Sequence, residues 1–360
     1  MLKCGDVWQE PLCLTDCHGS ASLPFILSSY GEGARPSVRR YSGKVPMRAE
    51  ERCVILNDVY GIVISGLDIG HAGVGIELIY NDSYDREYVL VEDCHFHDIY
   101  GTTQIDNVPT LAFSSALVVG GNRTQVGRDR YILLRGLHIH RCTTYDAGSL
   151  LGYSNGFDNS GAAEHCPSLE NVTITDCICE SNGYYGFVIA GVDGGFAEHC
   201  RILNNGTRSM PVGSTSIMLG ACQNFIVRDC EILDQQRQDN DPDGCGIDFE
   251  HRCYQVTVER CRISGSAGVG IMFFVSGVGE PGANIGCKIE DCILERNNQN
   301  AGNIFGGEIY CVEHGLKNGI IRGNRYVHMD GVKFIRCGGQ QFKSPADIFC
   351  SFTDEDNLPL

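Results

Sequence analysis

One short pattern recurs along the sequence and limits the architectures that the chain can adopt. In each copy apolar residues alternate with polar ones, and a polar pair, a cysteine and a further apolar residue follow. The clearest copies are VLVEDCHF (89–96), VTITDCIC (172–179), FIVRDCEI (225–232), VTVERCRI (256–263) and CKIEDCIL (287–294). Weaker copies are IVISGLDI (62–69), ILLRGLHI (132–139), FAEHCRIL (196–203) and IIRGNRYV (320–327). Such self-similarity predicts a solenoid that is built from stacked repeats.

The cysteine position gives the length of the repeat. The residues predicted at this position are Leu67, Cys94, Leu137, Cys177, Cys200, Cys230, Cys261, Cys292 and Asn324. The last four spacings are 30, 31, 31 and 32 residues. Because the copies alternate with the period of a strand and no helical periodicity separates them, each repeat should contain strands only. We therefore predict an all-β, single-domain parallel β-helix of about nine rungs, with stacked residues about 4.8 Å apart.

The chain contains 20 cysteines, and the repeating ones are predicted to form a column inside the rungs. Residues about 4.8 Å apart fall within the Cα range of disulfides, about 4.4 to 6.8 Å. However, every member of the column has an equivalent neighbour on each side, so no pairing is favoured. The other cysteines look scattered, for example Cys179, Cys222, Cys245, Cys253 and Cys311. We expect free thiols, with disulfides as the alternative.

These repeats resemble the pectate-lyase-like superfamily of right-handed parallel β-helices. There the column lies in the turn between the second and third strands of a rung and often holds asparagine, as at Asn324. The stretches GDVWQEPLCL and LPFILSSYGEGARPSV also resemble the entry region of bacterial β-helix carbohydrate enzymes. The resemblance implies an N-terminal capping region at 1–50, rungs over 51–340 and a C-terminal tail or cap at 341–360. It leaves the reaction open, because lyases, hydrolases, epimerases, tailspikes and binding proteins share this fold.

Charge and hydropathy narrow the range of partners. Asp and Glu number 45 against 28 Lys and Arg, and the net charge of −17 disfavours nucleic acid and anionic membranes as partners. No apolar run approaches the roughly 18 residues of a membrane span, and MLKCGDVWQE lacks the pattern of a signal peptide. We expect a soluble chain, cytoplasmic as given, or secreted if a leader was trimmed. A homo-oligomer remains open.

A second recurring pattern, often G-x-G-I, marks the predicted first strand of each rung, as in GCGIDFEHR (244–252) and GVGIMFFV (268–275). In the resembled superfamily the outer side of this strand forms the floor of the substrate groove. Alternation should point Ile247 and Ile271 inward and their neighbours outward. The substrate contacts predicted on this face are Met272, Phe274, Tyr310, Lys333 and Glu308. The alternative is an apolar patch that a loop or another subunit covers.

Two intervals near 100–130 and 143–171 are longer than the repeat requires. Long insertions in a compact fold are often functional, so we predict that these two wall the groove. Their candidate functional side chains are Asp106, Asp158, Glu164 and His165.

The densest group of reactive side chains lies in DNDPDGCGIDFEHR, residues 239 to 252. Asp248 and Glu250 are two residues apart on the predicted strand, which places their Cα atoms about 6.7 Å apart. This value is similar to the roughly 6.5–9.5 Å between the carboxyl groups of inverting glycosidases. We predict that this pair supplies the acid and the base of a glycoside hydrolase. Asp243 and His251 would set their protonation, because clustered carboxylates raise one another's pKa.

Three other interpretations of this segment stay open. One is a solvated acidic turn. Another is a Ca²⁺ site, because Asp239, Asp241 and Asp243, with Glu250, match the EF-hand spacing D-x-D-x-D-G-x5-E, although no cofactor is required. The third comes from DPDGCGIDFE, which resembles the N-T-D-G-[IF]-D segment of polygalacturonase-like hydrolases. The next rung, GVGIMFF, departs from that family because it lacks the paired aspartate.

The function predicted from the sequence is therefore a carbohydrate-active enzyme, a glycoside hydrolase acting on an oligo- or polysaccharide. A polysaccharide lyase on the same face is one alternative. It is disfavoured because Lys333 is the single basic residue on the predicted floor. A non-catalytic glycan-binding or tailspike-like β-helix is the other.

Overall fold

The fold is a stack of β-strand rungs, as the repeat predicts. The computed structural model of the chain describes residues 1–41, 51–80, 85–100, 114–120, 132–152, 167–210, 213–275, 282–300, 306–338 and 350–360, and the backbone of residues 47–48, 101–102, 104–105, 108–109 and 121. Asp106, Asp158, Glu164 and His165, the predicted loop candidates, lie outside the described residues. No helix in the described part of the chain is long and apolar enough to cross a bilayer.

Three parallel sheets run along the stack, and two of them hold twelve strands each. The sheet of second strands comprises Leu2–Lys3, Phe25–Tyr30, Ile62–Ser65, Glu87–Glu92, Leu134–His140, Leu169–Thr175, Val192–Glu198, Gln223–Arg228, Thr257–Glu259, Lys288–Glu290, Gly319–Arg322 and Phe352–Glu355. The sheet of third strands comprises Val7–Trp8, Ser37–Arg39, Asp68–Ala72, His95–Ile99, Thr143–Tyr145, Ile178–Glu180, Arg201–Leu203, Glu231–Leu233, Arg262–Ser264, Ile293–Glu295, Arg325–Val327 and Leu358–Pro359.

The sheet of first strands is divided into two parts among the described residues. Its N-terminal part contains Leu12–Thr15, Arg52–Asn57, Val74–Tyr80 and Leu117–Gly121. Its C-terminal part contains Tyr185–Ala190, Thr215–Gly220, Cys245–His251, Ile271–Phe273, Gly307–Cys311 and Lys333–Cys337. Shorter pairs join Met47–Arg48 to Gly101–Thr102, Gln104–Ile105 to Val108–Pro109, and Asn284–Ile285 to Leu316–Lys317.

Twelve strands per sheet exceed the nine or so positions that the cysteine pattern marks. The additional strands lie at the two ends, where residues 1–41 and 350–360 continue the same sheets without a copy of the pattern. There the alternation is too short to be recognised from sequence. The prediction of an all-β parallel β-helix is confirmed.

The core consists of identical or similar side chains stacked from rung to rung. Ile247, Ile271 and Ile309 are Cα partners on adjacent first strands and are fully buried. The rings of Phe249 and Phe273, next to them, stack with centroids 4.4 Å apart. In-register stacking of this kind places each buried residue on its counterpart and removes its whole apolar surface from water, which is the main stabilising term.

The cysteine column lies in the turn between the second and third strands, but one predicted member is wrong. Strand pairing aligns Leu137 with Val89 in the middle of a strand, and it is Cys142 that follows Cys94 in the column. The column is therefore Cys94, Cys142, Cys177, Cys200, Cys230, Cys261 and Cys292, continued by Asn324 and Asn357. The described cysteines are free thiols, and Cys261 donates to the carbonyl of Val227 one rung earlier, at 3.6 Å.

Two cysteines that look scattered in the sequence are also stacked. Cys222 and Cys253 follow first strands of adjacent rungs, and their Sγ atoms are 3.6 Å apart in the buried interior. Their spacing of 31 residues is the repeat length, which is the signal that could have identified them.

Candidate active site

The strand Cys245–His251 carries most of the predicted catalytic residues and lies in the middle of the C-terminal first-strand sheet. Ile247 faces the core, so Asp248 points to the opposite, outer side. Asp248 belongs to an outward column of Cα partners, which runs through Val188, Met218, Asp248, Met272, Tyr310 and Arg336. It is the one carboxylate in this column.

A β-bulge changes the position of Glu250. Phe249 is the partner of Leu219, but the next residue of the neighbouring strand, Gly220, is the partner of His251. Glu250 is therefore an extra residue without a partner on that strand. Strict alternation, from which the shared face of Asp248 and Glu250 was predicted, does not continue through this point. Bulges re-aim side chains and are common beside active sites.

Asp248 is buried although it faces outward, with 3% of its surface exposed. Burial and the nearby negative charges of Glu250 and Asp243 raise the pKa of Asp248 well above its ordinary value. A side-chain hydrogen bond with Glu250 acts in the same direction on this pKa. Among the described residues, the Oδ1 atom of Asp248 has no hydrogen-bond partner. Its environment thus favours the protonated form of the carboxyl group, and one of its oxygens is unengaged.

Asp243 forms the third member of this carboxyl cluster. Burial, followed by the charges of Asp241 and Glu250, raises the pKa of Asp243 to about 8, against a smaller opposing effect of Arg237. Its Oδ2 atom lies against Gly213, where a Cβ would be only 1.6 Å away. Gly213 also has φ +102, a conformation that favours glycine. The sequence analysis missed this glycine, because it lies one rung earlier and belongs to no motif.

Asp241 stabilises the turn that carries Asp243. Its Oδ1 accepts the backbone N–H groups of Ser214 at 3.1 Å and Asp243 at 2.9 Å, and its Oδ2 accepts the Ser214 hydroxyl. Burial raises the pKa of Asp241. Because both carboxylate oxygens of Asp241 already accept hydrogen bonds, its role is structural.

The predicted Ca²⁺ ligands are not brought together by this turn. Asp239 is exposed, whereas Asp241 is buried and bonded as described above. In the described part of the chain, sets of three side chains with ligand atoms within 4.8 Å of one another occur elsewhere and do not include Asp239, Asp241 and Asp243. The EF-hand-like spacing therefore does not correspond to EF-hand-like geometry.

His251 ends the strand beyond the bulge and is almost fully buried. Burial, followed by the charge of Arg252, lowers the pKa of His251 to about 4. The imidazole is therefore neutral near neutral pH. A neutral ring adds no positive charge that would lower the carboxyl pKa values.

The apolar residues expected on the groove floor form a covered cluster. Met272 and Tyr310 are 1% and 6% exposed and pack with Cys245 and Val269, and Phe274 is half-buried beside them. This arrangement matches the covered patch that was the alternative interpretation. In this state Met272 and Tyr310 expose too little surface to stack on a sugar.

Glu308 and Lys333 have different environments. Glu308 is completely buried, and its carboxylate accepts hydrogen bonds from the backbone N–H of Asn297 at 3.2 Å and the side-chain amide at 2.7 Å. Burial raises the pKa of Glu308 to about 7. In this arrangement the carboxylate is engaged by a buried asparagine, and its contact with substrate stays a prediction. Lys333 is exposed at the start of the strand Lys333–Cys337.

Comparison with known proteins identifies the fold. No curated protein matches the chain. The solved structure of native GH136 lacto-N-biosidase from Eubacterium ramulus is similar, with a TM-score of 0.70 and 13% identity over 100% of this chain and 61% of that one. This chain therefore spans about three fifths of the length of that enzyme. The A-module of an Azotobacter vinelandii mannuronan C-5 epimerase gives a TM-score of 0.44 and 13% identity, over 94% of this chain and 87% of that one.

A family match covers most of the described rungs. Residues 49–312 match the family described as right-handed beta helix region. The matched segment includes the cysteine column from Cys94 to Cys292 and the whole carboxyl cluster. The parallel three-sheet stack has the architecture that this match requires. The chain belongs to the right-handed beta-helix family.

Proposed function

We propose that the chain is a glycoside hydrolase and that Asp248 and Glu250 carry out its acid–base chemistry. The observation that supports this proposal is the electrostatically linked carboxyl cluster of Asp243, in the turn before a first strand, with Asp248 and Glu250 on that strand. Glycoside hydrolysis needs one carboxyl group that keeps a proton near neutral pH and a second that is ionised. The raised pKa values of Asp248 and Asp243 meet the first requirement.

The different environments of the two residues suggest their roles. We assign Asp248 as the general acid, because burial and its neighbours raise its pKa and so favour the protonated form. Glu250 is more exposed, and its negative charge contributes to the raised pKa of both aspartates. We assign Glu250 as the base that activates water. Asp243 is a positioning residue whose proton keeps a second negative charge out of the cluster.

Access to Asp248 is part of the proposal. Because Asp248 and Met272 are both covered, a sugar has to approach from the side of Glu250 and Asp243, which reach solvent. Binding would then displace the groups that cover Asp248 and Met272 in the outward column. The choice of reaction class is supported by GH136 lacto-N-biosidase, a glycoside hydrolase by its name, which shares this fold at 13% identity.

A glycan screen with three readouts tests the proposed reaction. Oligo- and polysaccharides are incubated with the chain, and new reducing ends, ultraviolet absorbance of unsaturated uronates and simple retention are recorded. New reducing ends without unsaturated products support a hydrolase. Unsaturated products would replace the proposal by a lyase, and retention alone would replace it by a binding protein.

Variants then test the assignment of residues. Asp248→Asn and Glu250→Gln keep the shape of each side chain and should lower the rate by about a hundredfold to ten-thousandfold. Asp239→Asn is the matched control, since Asp239 lies in the same acidic segment but is exposed. It should hydrolyse at the wild-type rate. Wild-type rates for both Asp248→Asn and Glu250→Gln would refute the assignment.

A further inference from the structure

A separate group of histidine and aspartate side chains lies on the sheet of third strands. Asp68–Ala72 and His95–Ile99 are adjacent parallel strands, with Asp68 the Cα partner of His95 and Gly70 the partner of His97. Ile69 and Phe96 are buried in the core. The residues on either side of them therefore project outward together, which places Asp68, His95 and His97 on one face.

The three side chains converge at their polar atoms. His95 Nδ1 is 3.0 Å from Asp68 Oδ1, and His97 Nε2 is 3.4 Å from the same oxygen. One ligand atom from each side chain can be chosen so that all three lie within 4.8 Å of one another. All three residues are partly buried, which restricts the movement of their side chains.

Both ring nitrogens of His97 face carboxylates. His97 Nδ1 is 2.8 Å from Asp98 Oδ2, and a carboxylate can only accept, so Nδ1 carries the proton. Nε2 lies 3.4 Å from the Asp68 carboxylate, and the charge between these two atoms is supplied either by a second ring proton or by a metal ion. A metal ion would bind the neutral ring in place of that second proton. A carboxylate on the distal nitrogen is also the usual partner of a histidine that binds a metal.

The His97 ring is held in place from two further sides. A Cβ on Gly70 would lie 2.7 Å from its Cε1 and 2.8 Å from its Nε2, so glycine at this position makes room for the ring. The ring of His71 packs edge-on against it, with centroids 5.1 Å apart and an interplanar angle of 90°. The ligand atoms are therefore preorganised before any ion binds.

We propose that Asp68, His95 and His97 bind a divalent transition-metal ion, with Zn²⁺ as the best match. Two imidazole nitrogens and one carboxylate oxygen are ligands that suit Zn²⁺. Three protein ligands leave at least one coordination position for water or a small anion. Asp98 is a positioning residue that fixes the His97 tautomer. The ion would link two adjacent rungs, independently of the carboxyl cluster on the first-strand sheet.

The chain contains its own matched control. His138 and His140 lie on Leu134–His140 with the same spacing as His95 and His97. Their Nδ1 atoms contact threonine hydroxyls, of Thr173 at 2.8 Å and Thr175 at 2.7 Å. This second pair belongs to no set of three converging ligands among the described residues.

Metal titration of the full chain tests the proposal. The protein is treated with a chelator, its accessible thiols are alkylated, and Zn²⁺ binding is measured by isothermal titration calorimetry. Co²⁺ absorption then identifies the ligands, because thiolate ligands give charge-transfer bands that imidazole and carboxylate do not. We expect one equivalent bound without thiolate bands. His97→Asn and Asp68→Asn should each weaken binding at least tenfold, and Asp98→Asn by about 10- to 100-fold.

Two further variants keep the result decisive. The double variant His138→Asn/His140→Asn should bind Zn²⁺ like the wild type, and His71→Asn, which removes a packing contact and no ligand, should weaken binding less than His97→Asn does. Three results would each overturn the site. They are an unchanged affinity in His97→Asn, an equal loss of affinity in the His138/His140 control, and no saturable binding by the wild type. A loss in His71→Asn with none in Asp68→Asn would overturn the ligand set. Melting curves in chelator confirm that each variant is folded, so that lost binding is not lost structure.

Discussion

Replacing Asp243 by Asn should make the protein more stable at pH 8 while it impairs the proposed activity. The pKa of Asp243 is about 8 in the folded chain against 3.8 ordinarily, because the carboxyl group is buried beside Asp241 and Glu250. Below about pH 4 the group is protonated in both the folded and the unfolded chain and has no effect. Between about pH 4 and pH 8 the unfolded chain loses this proton first, so stability falls as the pH rises.

The size of the effect follows from the pKa difference. One pKa unit corresponds to about 1.4 kcal/mol, so raising the pKa from 3.8 to about 8 costs up to about 6 kcal/mol at pH 8. Asp243 keeps some contact with solvent, which screens its charge, and we therefore expect about 2 to 4 kcal/mol. Asn is similar in shape and stays neutral at every pH, so the variant avoids this cost.

Urea unfolding followed by far-ultraviolet circular dichroism measures the prediction at pH 4 and pH 8. Asp243→Asn should unfold at a higher urea concentration than the wild type at pH 8 and at a similar concentration at pH 4. The control is Asp239→Asn, which removes an exposed carboxylate. It should change the free energy of unfolding by no more than about 0.5 kcal/mol at either pH. A variant that is no more stable than the wild type at pH 8 would show that Asp243 is not a strained carboxyl group.

Three further outcomes follow from particular contacts. Thiol titration of the denatured, unreduced protein should find the described cysteines as free thiols, and a majority in disulfides would contradict the stacked column. Asn284→Leu should lower stability by about 3 kcal/mol in thermal melts, because the two N–H donors of the Asn284 amide are shared among three nearby backbone carbonyls and its oxygen accepts a backbone N–H. Unchanged melting would refute that role. Gly213→Ala should displace Asp243 and lower hydrolysis at least tenfold, and a wild-type rate would show that the close contact is unimportant.

The architecture could be predicted from sequence because its signals are local and repeated. Each rung shows its own alternation, and the constant spacing from Cys200 to Cys292 makes the stacking visible without any long-range information. The error at Leu137 arose because the copy ILLRGLHI (132–139) was aligned so that Leu137, and not Cys142, matched Cys94. LHIHRC (137–142) aligns with VLVEDC (89–94), and it would have identified Cys142.

The candidate site was predicted less completely, for two physical reasons. Alternation indicates which side of a strand Met272 and Tyr310 face, but burial on the outer side depends on what covers the sheet, and the strand pattern does not encode that. The bulge at Glu250 is visible only when Leu219 and Gly220 are paired with the next strand. By contrast, the segment that holds Asp243, Asp248 and Glu250 stood out because it combines several carboxylates with the first-strand pattern.

The bulge also bears on how a repetitive structure can acquire chemistry. A residue in the ladder is constrained by its counterparts above and below, so a change at Phe249 must be accommodated by Leu219 and Phe273. Glu250 has no partner on either neighbouring strand in this register, and an inserted residue at this position escapes that mutual constraint. Evolution could therefore sample side chains there, one at a time, without disturbing the inherited stack on which folding depends.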